Sequence, residues 1–454
     1  MPTEDLFIIA IELGSSKVTG VGGKKLPDGS VEVHAVVKTE ASDFMRNGMI
    51  LNLKKSVERI KYVINQLQTQ LNCNVTQVYI GHGGQGLHSV ENVAIKNFDT
   101  MVPISQDVVK ELMNENSNAD FENQEILEVM PLEYGVGTQK QVDPVGVLSD
   151  HIDGHFLNII ARPIIRNSIQ DCMKQVGKTV VEYKCVPLTI ADEVLSNDDK
   201  RTGCALVDFG ADTTTVSVYW KNMLRYVGVI PLGGNNITKD IMSLQIDWDD
   251  AEKLKKDFGY VATEDLSDEE RELVVYTLID GTKITKGQIA EVIEARLEEI
   301  LINVKDQISH SKYSVSSLMC GAVCVGGGSN IKNLSRLFKK VVGGCKVNVV
   351  KNTQTNVRYA KTVKPQPETN SLFGVLSLLI KGSQPCTSAI VEEQVNTELF
   401  EENEKTPVET EVSENTPEVE TEEQEKPQKP KGPSLWKRFI KSAKDISDKL
   451  AGED

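Results

Sequence analysis

Three short glycine turns in the sequence contain the residue types that bind phosphate groups and nucleosides. Residues 12–17 read ELGSSK, residues 208–214 read DFGADTT, and residues 326–331 read GGGSNI, and each turn follows an apolar run typical of a β-strand. Glycine lets the backbone approach an anion closely, and successive N–H groups with Ser or Thr hydroxyls form a concave set of donors for phosphate oxygens. The candidate nucleotide-binding residues are Gly14, Ser15, Ser16, Lys17, Gly210, Ala211, Asp212, Thr213, Thr214, Gly326, Gly327, Gly328 and Ser329.

The first two turns share a further feature, an acid at the strand end two residues before the glycine. These acids, Glu12 and Asp208, are the candidate ligands for Mg²⁺ through water, since Mg²⁺ keeps several waters and takes few direct carboxylates. The glycines of the third turn carry no side chain that would block an adenine ring or a sugar. Any one of the turns could be an ordinary structural bend, but three in this order predict two similar lobes that clamp one nucleotide.

The elements that position these turns alternate between strand and helix. Residues 6–11, 204–209 and 215–220 are apolar runs of strand length, whereas 53–71 and 288–309 have the 3.6-residue period of an amphipathic helix. The body is therefore predicted to be mixed α/β. The glycine-rich stretch 81–86 (GHGGQG) lacks the pattern of a phosphate loop that precedes a helix, and we interpret it as a connecting turn.

Length and composition limit the class of protein. A chain of 454 residues is predicted to form two or three domains, and its net charge of −16 gives no basic surface for nucleic acid. No apolar run approaches the ~18 residues of a membrane span, and the N-terminus lacks the pattern of a signal peptide, so we expect the chain in the cytoplasm. Eight scattered cysteines are expected to be free thiols.

The C-terminal part of the chain changes character. Residues 386–430 contain fourteen glutamates against three lysines and almost no aromatic residues. Such a segment cannot bury enough apolar surface to offset the entropy lost on ordering, so we predict a disordered, extended spacer over 385–433.

The last segment, 434–450, is predicted to be an amphipathic helix. Trp and Phe beside a rim of Lys and Arg are typical of a helix that lies in a membrane interface. The alternatives are a helix that binds a partner protein and a helix that packs on the folded body. The candidate membrane-contacting residues are Leu435, Trp436, Phe439, Ile440, Ile446 and Leu450 on the apolar side, and Lys437, Arg438, Lys441 and Lys444 on the basic side.

These motifs resemble those of a known superfamily. IELGSSK, VDFGADTTT and VGGGSNIKNL are similar to the phosphate-1, phosphate-2 and adenosine motifs of the actin-like ATPases. NGMILNLKKSVERIKYVI, MVPISQDVV, VMPLEYGV, DPVGVL, LRYVGVIPLGGNNITKDI and QIAEVIEARLEEIL resemble segments of the bacterial cell-division FtsA family, in the same order. The chain departs from the family pattern at Glu12, where aspartate is usual, and at Ala211, where a second glycine is common.

The resemblance implies an actin-like, two-lobed (ribonuclease H-like) α/β fold with the subdomain 1C insertion of the FtsA family. The implied subdomains are 1A over 1–84 and 165–200 with a closing helix at 366–384, 1C over 85–164, 2A over 201–230 and 301–365, and 2B over 231–300.

The resemblance also implies a function, which is a structural role in cell division at the cytoplasmic face of the membrane. An ATP- and Mg²⁺-binding body would polymerise and anchor the FtsZ ring, with the FtsZ C-terminal peptide on 2B, anionic lipid on the terminal helix, and other division proteins recruited. Nothing in the sequence identifies a catalytic residue, so at most a weak ATPase activity is expected. The alternatives are a small-molecule kinase or a pilus-assembly ATPase of the same superfamily.

Overall fold

The computed structural model describes residues 6–364 and 369–388, and strands and helices alternate along them. The strands are β1 (Ile8–Leu13), β2 (Lys17–Lys25), β3 (Val31–Glu40), β4 (Met45–Arg46), β5 (Met49–Ile50), β6 (Asn74–Val75), β7 (Gln77–His82), β8 (His88–Pro103), β9 (Glu125–Val136), β10 (Gln139–Gln141), β11 (Leu148–Ala161), β12 (Thr179–Cys185), β13 (Cys204–Phe209), β14 (Thr214–Trp220), β15 (Met223–Ile230), β16 (Val274–Thr277), β17 (Lys283–Thr285), β18 (Gly321–Val325), β19 (Val347–Val349), β20 (Val357–Tyr359) and β21 (Thr387–Ser388). The helices are α1 (Leu53–Leu71), α2 (Gln106–Ser117), α3 (Pro163–Val176), α4 (Val186–Val194), α5 (Asn197–Thr202), α6 (Gly234–Met242), α7 (Trp248–Phe258), α8 (Asp268–Arg271), α9 (Lys286–His310), α10 (Leu334–Val341) and α11 (Phe373–Lys381). The predicted mixed α/β class is confirmed.

A six-stranded sheet with the order β12-β7-β1-β2-β3-β20 organises the first lobe. Strands β1, β2 and β3 form an antiparallel meander, and β7 and β12 add to it in parallel. Helices cover both faces of this sheet. A Cβ atom at Gly20 would lie 2.5 Å from Val63 of α1, and one at Gly23 would lie 3.0 Å from Leu379 of α11 on the other side. The small residues of β2 therefore let both helices pack closely on the sheet.

The second lobe repeats this topology. Five neighbouring strands of a nine-stranded sheet have the order β15-β14-β13-β18-β19, again an antiparallel meander followed by two parallel strands. The long helix α9 packs on β14 and β15. The repeat confirms the predicted pair of similar lobes, and it puts the bend after β1 and the bend after β13 at equivalent positions.

An antiparallel insertion, made of β8 to β11 and α2, lies between β7 and α3 in the chain. It has its own apolar cluster, which includes Leu112, Tyr134 and Phe156. Its strands continue the sheet of the second lobe through one residue pair, Gly228 with His88. We refer to β8–β11 with α2 as the inserted domain.

The predicted helix over 53–71 is confirmed as α1. Asn52 begins it by accepting a hydrogen bond from the backbone N–H of Lys55, and it ends at Asn72 in the left-handed conformation, with φ of 49°. Ile60, Ile64 and Leu67 repeat at helical spacing on its buried face. The local sequence was sufficient to predict this helix because the capping residues and the apolar stripe indicate the same bounds.

The folded body extends through Ser388, a few residues into the segment predicted as spacer. Cys386 is fully buried and its N–H donates to the Phe7 carbonyl at 2.7 Å, while Thr387 pairs with Val75. The rest of the predicted spacer and the predicted helix 434–450 lie outside the described residues. No helix within 6–364 and 369–388 is long and apolar enough to cross a lipid bilayer.

Candidate nucleotide site

The first two predicted turns have the same backbone geometry. Between β1 and β2, the Gly14 N–H donates to the Lys17 carbonyl at 3.0 Å, and between β13 and β14, the Gly210 N–H donates to the Thr213 carbonyl at 2.9 Å. A Cβ atom at either glycine would lie within 3 Å of that carbonyl oxygen, at 2.9 Å for Gly14 and 2.7 Å for Gly210. Each lobe thus presents one tight glycine bend at the end of its first strand.

The third turn interlocks with the second. Gly326 directly follows β18 and has a φ of +83°, and a Cβ atom there would lie 2.3 Å from a carboxylate oxygen of Asp208 and 2.6 Å from the Phe209 carbonyl. A Cβ atom at Gly328 would lie 2.9 Å from the Phe209 side chain. Since β13 and β18 pair in parallel, their two loops meet at the same edge of the sheet.

All three turns line one cleft between the lobes, which has a volume of about 740 Å³. Most of the residues predicted from the sequence contribute to its walls. These are Glu12, Gly14, Ser15, Ser16, Lys17, Asp208, Gly210, Ala211, Thr213, Gly326, Gly327 and Gly328.

The structure does not bring Thr214, Asp212 and Ser329 to the cleft walls. Thr214 is fully buried and its hydroxyl donates to the Leu232 carbonyl at 2.8 Å. Alternate residues of a strand face opposite sides, so Thr213 and Thr215 line the cleft while Thr214 points away.

The other two residues, Asp212 and Ser329, form hydrogen bonds beside the cleft. The Asp212 carboxylate accepts hydrogen bonds from the backbone N–H of Asn47 at 2.9 Å and from the Asn235 amide at 2.7 Å. The Ser329 hydroxyl donates to the Gly326 carbonyl at 2.7 Å and accepts from the Asn370 amide at 3.1 Å. Asn47 lies in the β4–β5 hairpin, which contacts α3, and Asn370 lies just before α11, which packs on the first sheet, so both sets of hydrogen bonds connect the two lobes beside the cleft.

Two carboxylates lie on the floor of the cleft, one from each lobe. Burial and the nearby Asp208 raise the pKa of Glu12 from 4.5 to about 7, although a hydrogen bond from the Val375 N–H opposes the shift. Burial raises the pKa of Asp208 from 3.8 to about 6. Within the part of the chain that the structure describes, neither acid forms an ion pair with a basic side chain. The pair therefore has the electrostatics of a site that a cation would stabilise.

The raised pKa values predict how the ligand-free protein responds to pH. Between about pH 4 and pH 7 the folded chain holds protons on Glu12 and Asp208 that the unfolded chain releases, so these groups lower the free energy of unfolding as pH rises. We expect Glu12→Gln to raise the melting temperature of the ligand-free protein more at pH 8 than at pH 5. Thermal unfolding at both values measures this difference, with Glu58→Gln on the exposed face of α1 as control. If Glu12→Gln changed the melting temperature equally at the two pH values, the raised pKa of Glu12 would be contradicted.

Sequence reasoning missed the contribution of α7. Glu252, Lys253 and Lys256 of this helix line the cleft, as do Asn235 and Asn370. Lys255 is held by the Gly234 carbonyl at 3.0 Å and by the Thr238 hydroxyl at 2.7 Å, which fixes α7 against α6. The run EKLKK, with an acid and lysines at helical spacing, was the available signal.

Two lobes of equal topology, each with a glycine hairpin bend that faces a shared cleft, define the actin-like class of ATPase folds. Residues 205–373 match the family model described as "Cell division protein FtsA", and residues 84–160 match the family model described as "SHS2 domain inserted in FTSA". The chain belongs to the FtsA family.

Individual relatives agree with that assignment. The chain is 27% identical to the cell division protein FtsA of Porphyromonas gingivalis over 387 residues, which cover 84% of this chain and 79% of the relative. It is 28% identical to FtsA of Buchnera aphidicola subsp. Baizongia pistaciae over 393 residues, which cover 83% and 91%. Among solved structures, a PilM–PilN type IV pilus biogenesis complex matches with a TM-score of 0.58 at 16% identity, covering 83% of this chain and 99% of that chain. The last likeness concerns the fold alone.

Proposed function

We propose that the cleft between the lobes binds ATP together with Mg²⁺. The observation that carries this proposal is the convergence of three glycine turns, distant in sequence, on one cleft of about 740 Å³. A pocket of this volume is in the range that accommodates a cofactor-sized ligand. The bends at Gly14 and Gly210 would offer N–H and hydroxyl donors to phosphate oxygens, and the stretch from Gly326 to Gly328 would leave room for the adenine ring or the sugar.

The residues present fit a divalent cation. Glu12 and Asp208 supply carboxylate oxygens from opposite lobes, which are the ligands that Mg²⁺ prefers. When bound, the ion would offset the charge of the phosphates and of the two acids. We expect Mg·ATP to bind more tightly as pH rises through 6 to 7, because both carboxylates must lose their protons.

The proposed role of ATP is mainly structural. In the closed form the two lobes have moved together around the cleft. A ligand that contacts both lobes shifts the protein toward this form by a factor equal to the ratio of its affinities for the closed and open forms. We propose that the closed form assembles with further copies of itself into filaments, and that many copies together hold the assembly on a membrane through avidity.

We further propose that the chain is an adaptor between the FtsZ ring and the cytoplasmic face of the membrane at the division site. The region 231–300 would bind the C-terminal peptide of FtsZ, and the segment 434–450 would bind anionic lipid, with other division proteins recruited to the assembly. Leu273, Val274 and Ile279 are exposed apolar residues in the first of these regions and offer a surface for a peptide.

A vesicle sedimentation experiment tests the adaptor proposal. A labelled FtsZ C-terminal peptide should pellet with anionic vesicles when the full-length chain is present with Mg·ATP. A chain that ends at residue 433 should leave the peptide in the supernatant while still binding it in solution, and vesicles of neutral lipid provide the control. Equal delivery of the peptide by the full-length and shortened chains would contradict the membrane role of the last segment.

A further inference from the structure

A two-residue hairpin at Asn47 and Gly48 contacts the glycine turns 12–17 and 208–214, which we call the phosphate loops because the proposed ATP site would hold phosphates there. It connects β4 with β5, and both residues have positive φ, 50° for Asn47 and 76° for Gly48. An Asn-Gly pair with two positive φ angles is the sequence preferred in tight β-hairpins. The turn is therefore set by its own sequence and can act as a rigid unit.

Its two backbone N–H groups bond to the two phosphate loops. The Asn47 N–H donates to Asp212 of the second lobe at 2.9 Å, and the Gly48 N–H donates to the Ser15 hydroxyl of the first lobe at 2.8 Å. Because the Ser15 oxygen accepts this bond, its own hydroxyl proton can be donated into the cleft that Ser15 lines. The turn thus orients one phosphate-loop donor and ties it to the opposite loop.

The same turn grips the segment that leads into the inserted domain. This segment, residues 83–87, is the glycine-rich connection between β7 and β8, and we call it the root. The Gln85 N–H donates to the Asn47 carbonyl at 2.8 Å, and the Asn47 amide donates to the Gln85 side-chain oxygen at 2.7 Å. A Cβ atom at Gly48 would lie 2.5 Å from the Gly84 Cα, so the two backbones touch directly.

The inserted domain also contacts the second lobe. The Ser89 hydroxyl accepts from the Val227 N–H at 2.9 Å, and Arg225 pairs with Glu133 at 3.3 Å. One end of the inserted domain is thus fixed through the root to the turn, and its sheet rests on the lobe that carries Asp212. A change in the distance between the lobes must alter at least one of these attachments.

We propose that the Asn47–Gly48 turn is a positioning element of the nucleotide site that couples occupancy of the cleft to the root of the inserted domain. This inference rests on the proposed nucleotide binding. A ligand that draws the phosphate loops together stabilises the Asp212–Asn47 bond, which orders the turn and with it Gln85. Opening the cleft separates Asp212 from Asn47 and releases the root. By reciprocity, an event that holds the inserted domain in place favours nucleotide binding by the same factor.

Hydrogen exchange of the full-length protein, with and without Mg·ATP, tests the coupling. In the wild type, Mg·ATP should slow exchange in a peptide covering 83–90 by about threefold or more. Gln85→Ala, which removes the side-chain bond to Asn47, should abolish most of this effect, whereas Gln85→Glu keeps an oxygen acceptor and should preserve it. Gln139→Ala, at an exposed glutamine of β10, is the matched control.

Titration with a fluorescent ATP analogue separates the possible failures. For Gln85→Ala, the nucleotide dissociation constant should change by no more than about fivefold, which is the size of a modest coupling. If the wild type and Gln85→Ala both bind nucleotide and protect the root equally, the coupling is refuted while nucleotide binding stands. If the wild type binds no nucleotide, the proposed function fails and the coupling fails with it.

Discussion

Replacing Gly326 by alanine is expected to abolish measurable binding of Mg·ATP and to destabilise the second lobe. The residue adopts a φ of +83°, and a Cβ atom would meet Asp208 at 2.3 Å and the backbone carbonyl of Phe209 at 2.6 Å. Strain of this kind contributes about 1–3 kcal/mol, and the backbone clash must push the third loop away from the second. We expect at least a hundredfold loss of affinity, measured by nucleotide titration, and a lower melting temperature.

Two other glycines of the second lobe provide comparisons, Gly344 as the control for binding and stability and Gly327 as the control for stability. Gly344→Ala places a Cβ atom in open space on an exposed loop of the same lobe, so affinity and stability should be unchanged. A Cβ atom at Gly327 would also meet no protein atom, so Gly327→Ala should leave stability unchanged. Because Gly327 lines the cleft, the same substitution should lower nucleotide affinity by about tenfold if the base or sugar packs there. Wild-type affinity in Gly326→Ala would show that the third loop takes no part in the site.

The second large effect is expected at the proposed membrane helix. Phe439→Glu should weaken binding of the full-length chain to anionic vesicles by at least about tenfold. Burial of a phenylalanine side chain contributes about 1.5–3 kcal/mol, and a carboxylate in its place is repelled by anionic lipid. Tenfold corresponds to about 1.4 kcal/mol, so the estimate uses only the lower end of that range.

Two substitutions in the same helix serve as controls for vesicle binding. Phe439→Leu keeps the position apolar and should stay within about threefold of the wild type, because most of the buried area is retained. Asp445→Glu keeps the charge on the polar side and should have no effect. Unchanged vesicle binding in Phe439→Glu would rule out the predicted apolar face as the lipid contact.

The local geometry of the glycine bends could be predicted from the sequence, but the direction of each side chain could not. An acid, a glycine and hydroxyl residues between two apolar runs indicate a hairpin bend, and the bends at Gly14 and Gly210 have that form. Which threonine faces the cleft depends on where β14 begins. Thr214, its first residue, was predicted to bind nucleotide but points away from the cleft. Thr215, the next residue, lines the cleft instead.

Contacts between distant parts of the chain were beyond sequence reasoning. Asp212 has the residue type of a polar ligand, yet it bonds to a backbone N–H 165 positions away in the sequence. The lysines of α7 reach the cleft only because α6 and α9 hold that helix beside it. The Asn-Gly turn at 47–48 carried a clear local signal for a hairpin, but nothing in the sequence indicated what the turn would touch.

Binding of ATP to the wild-type protein is the most direct measurement of the central claim, that the two lobes clamp one Mg-nucleotide. Titration of the full-length chain in the presence of Mg²⁺ should saturate at one nucleotide per chain, and chelation of the metal or a shift to pH 5 should weaken binding several-fold. Failure to saturate at millimolar ATP, or binding that ignores both Mg²⁺ and pH, would contradict the account.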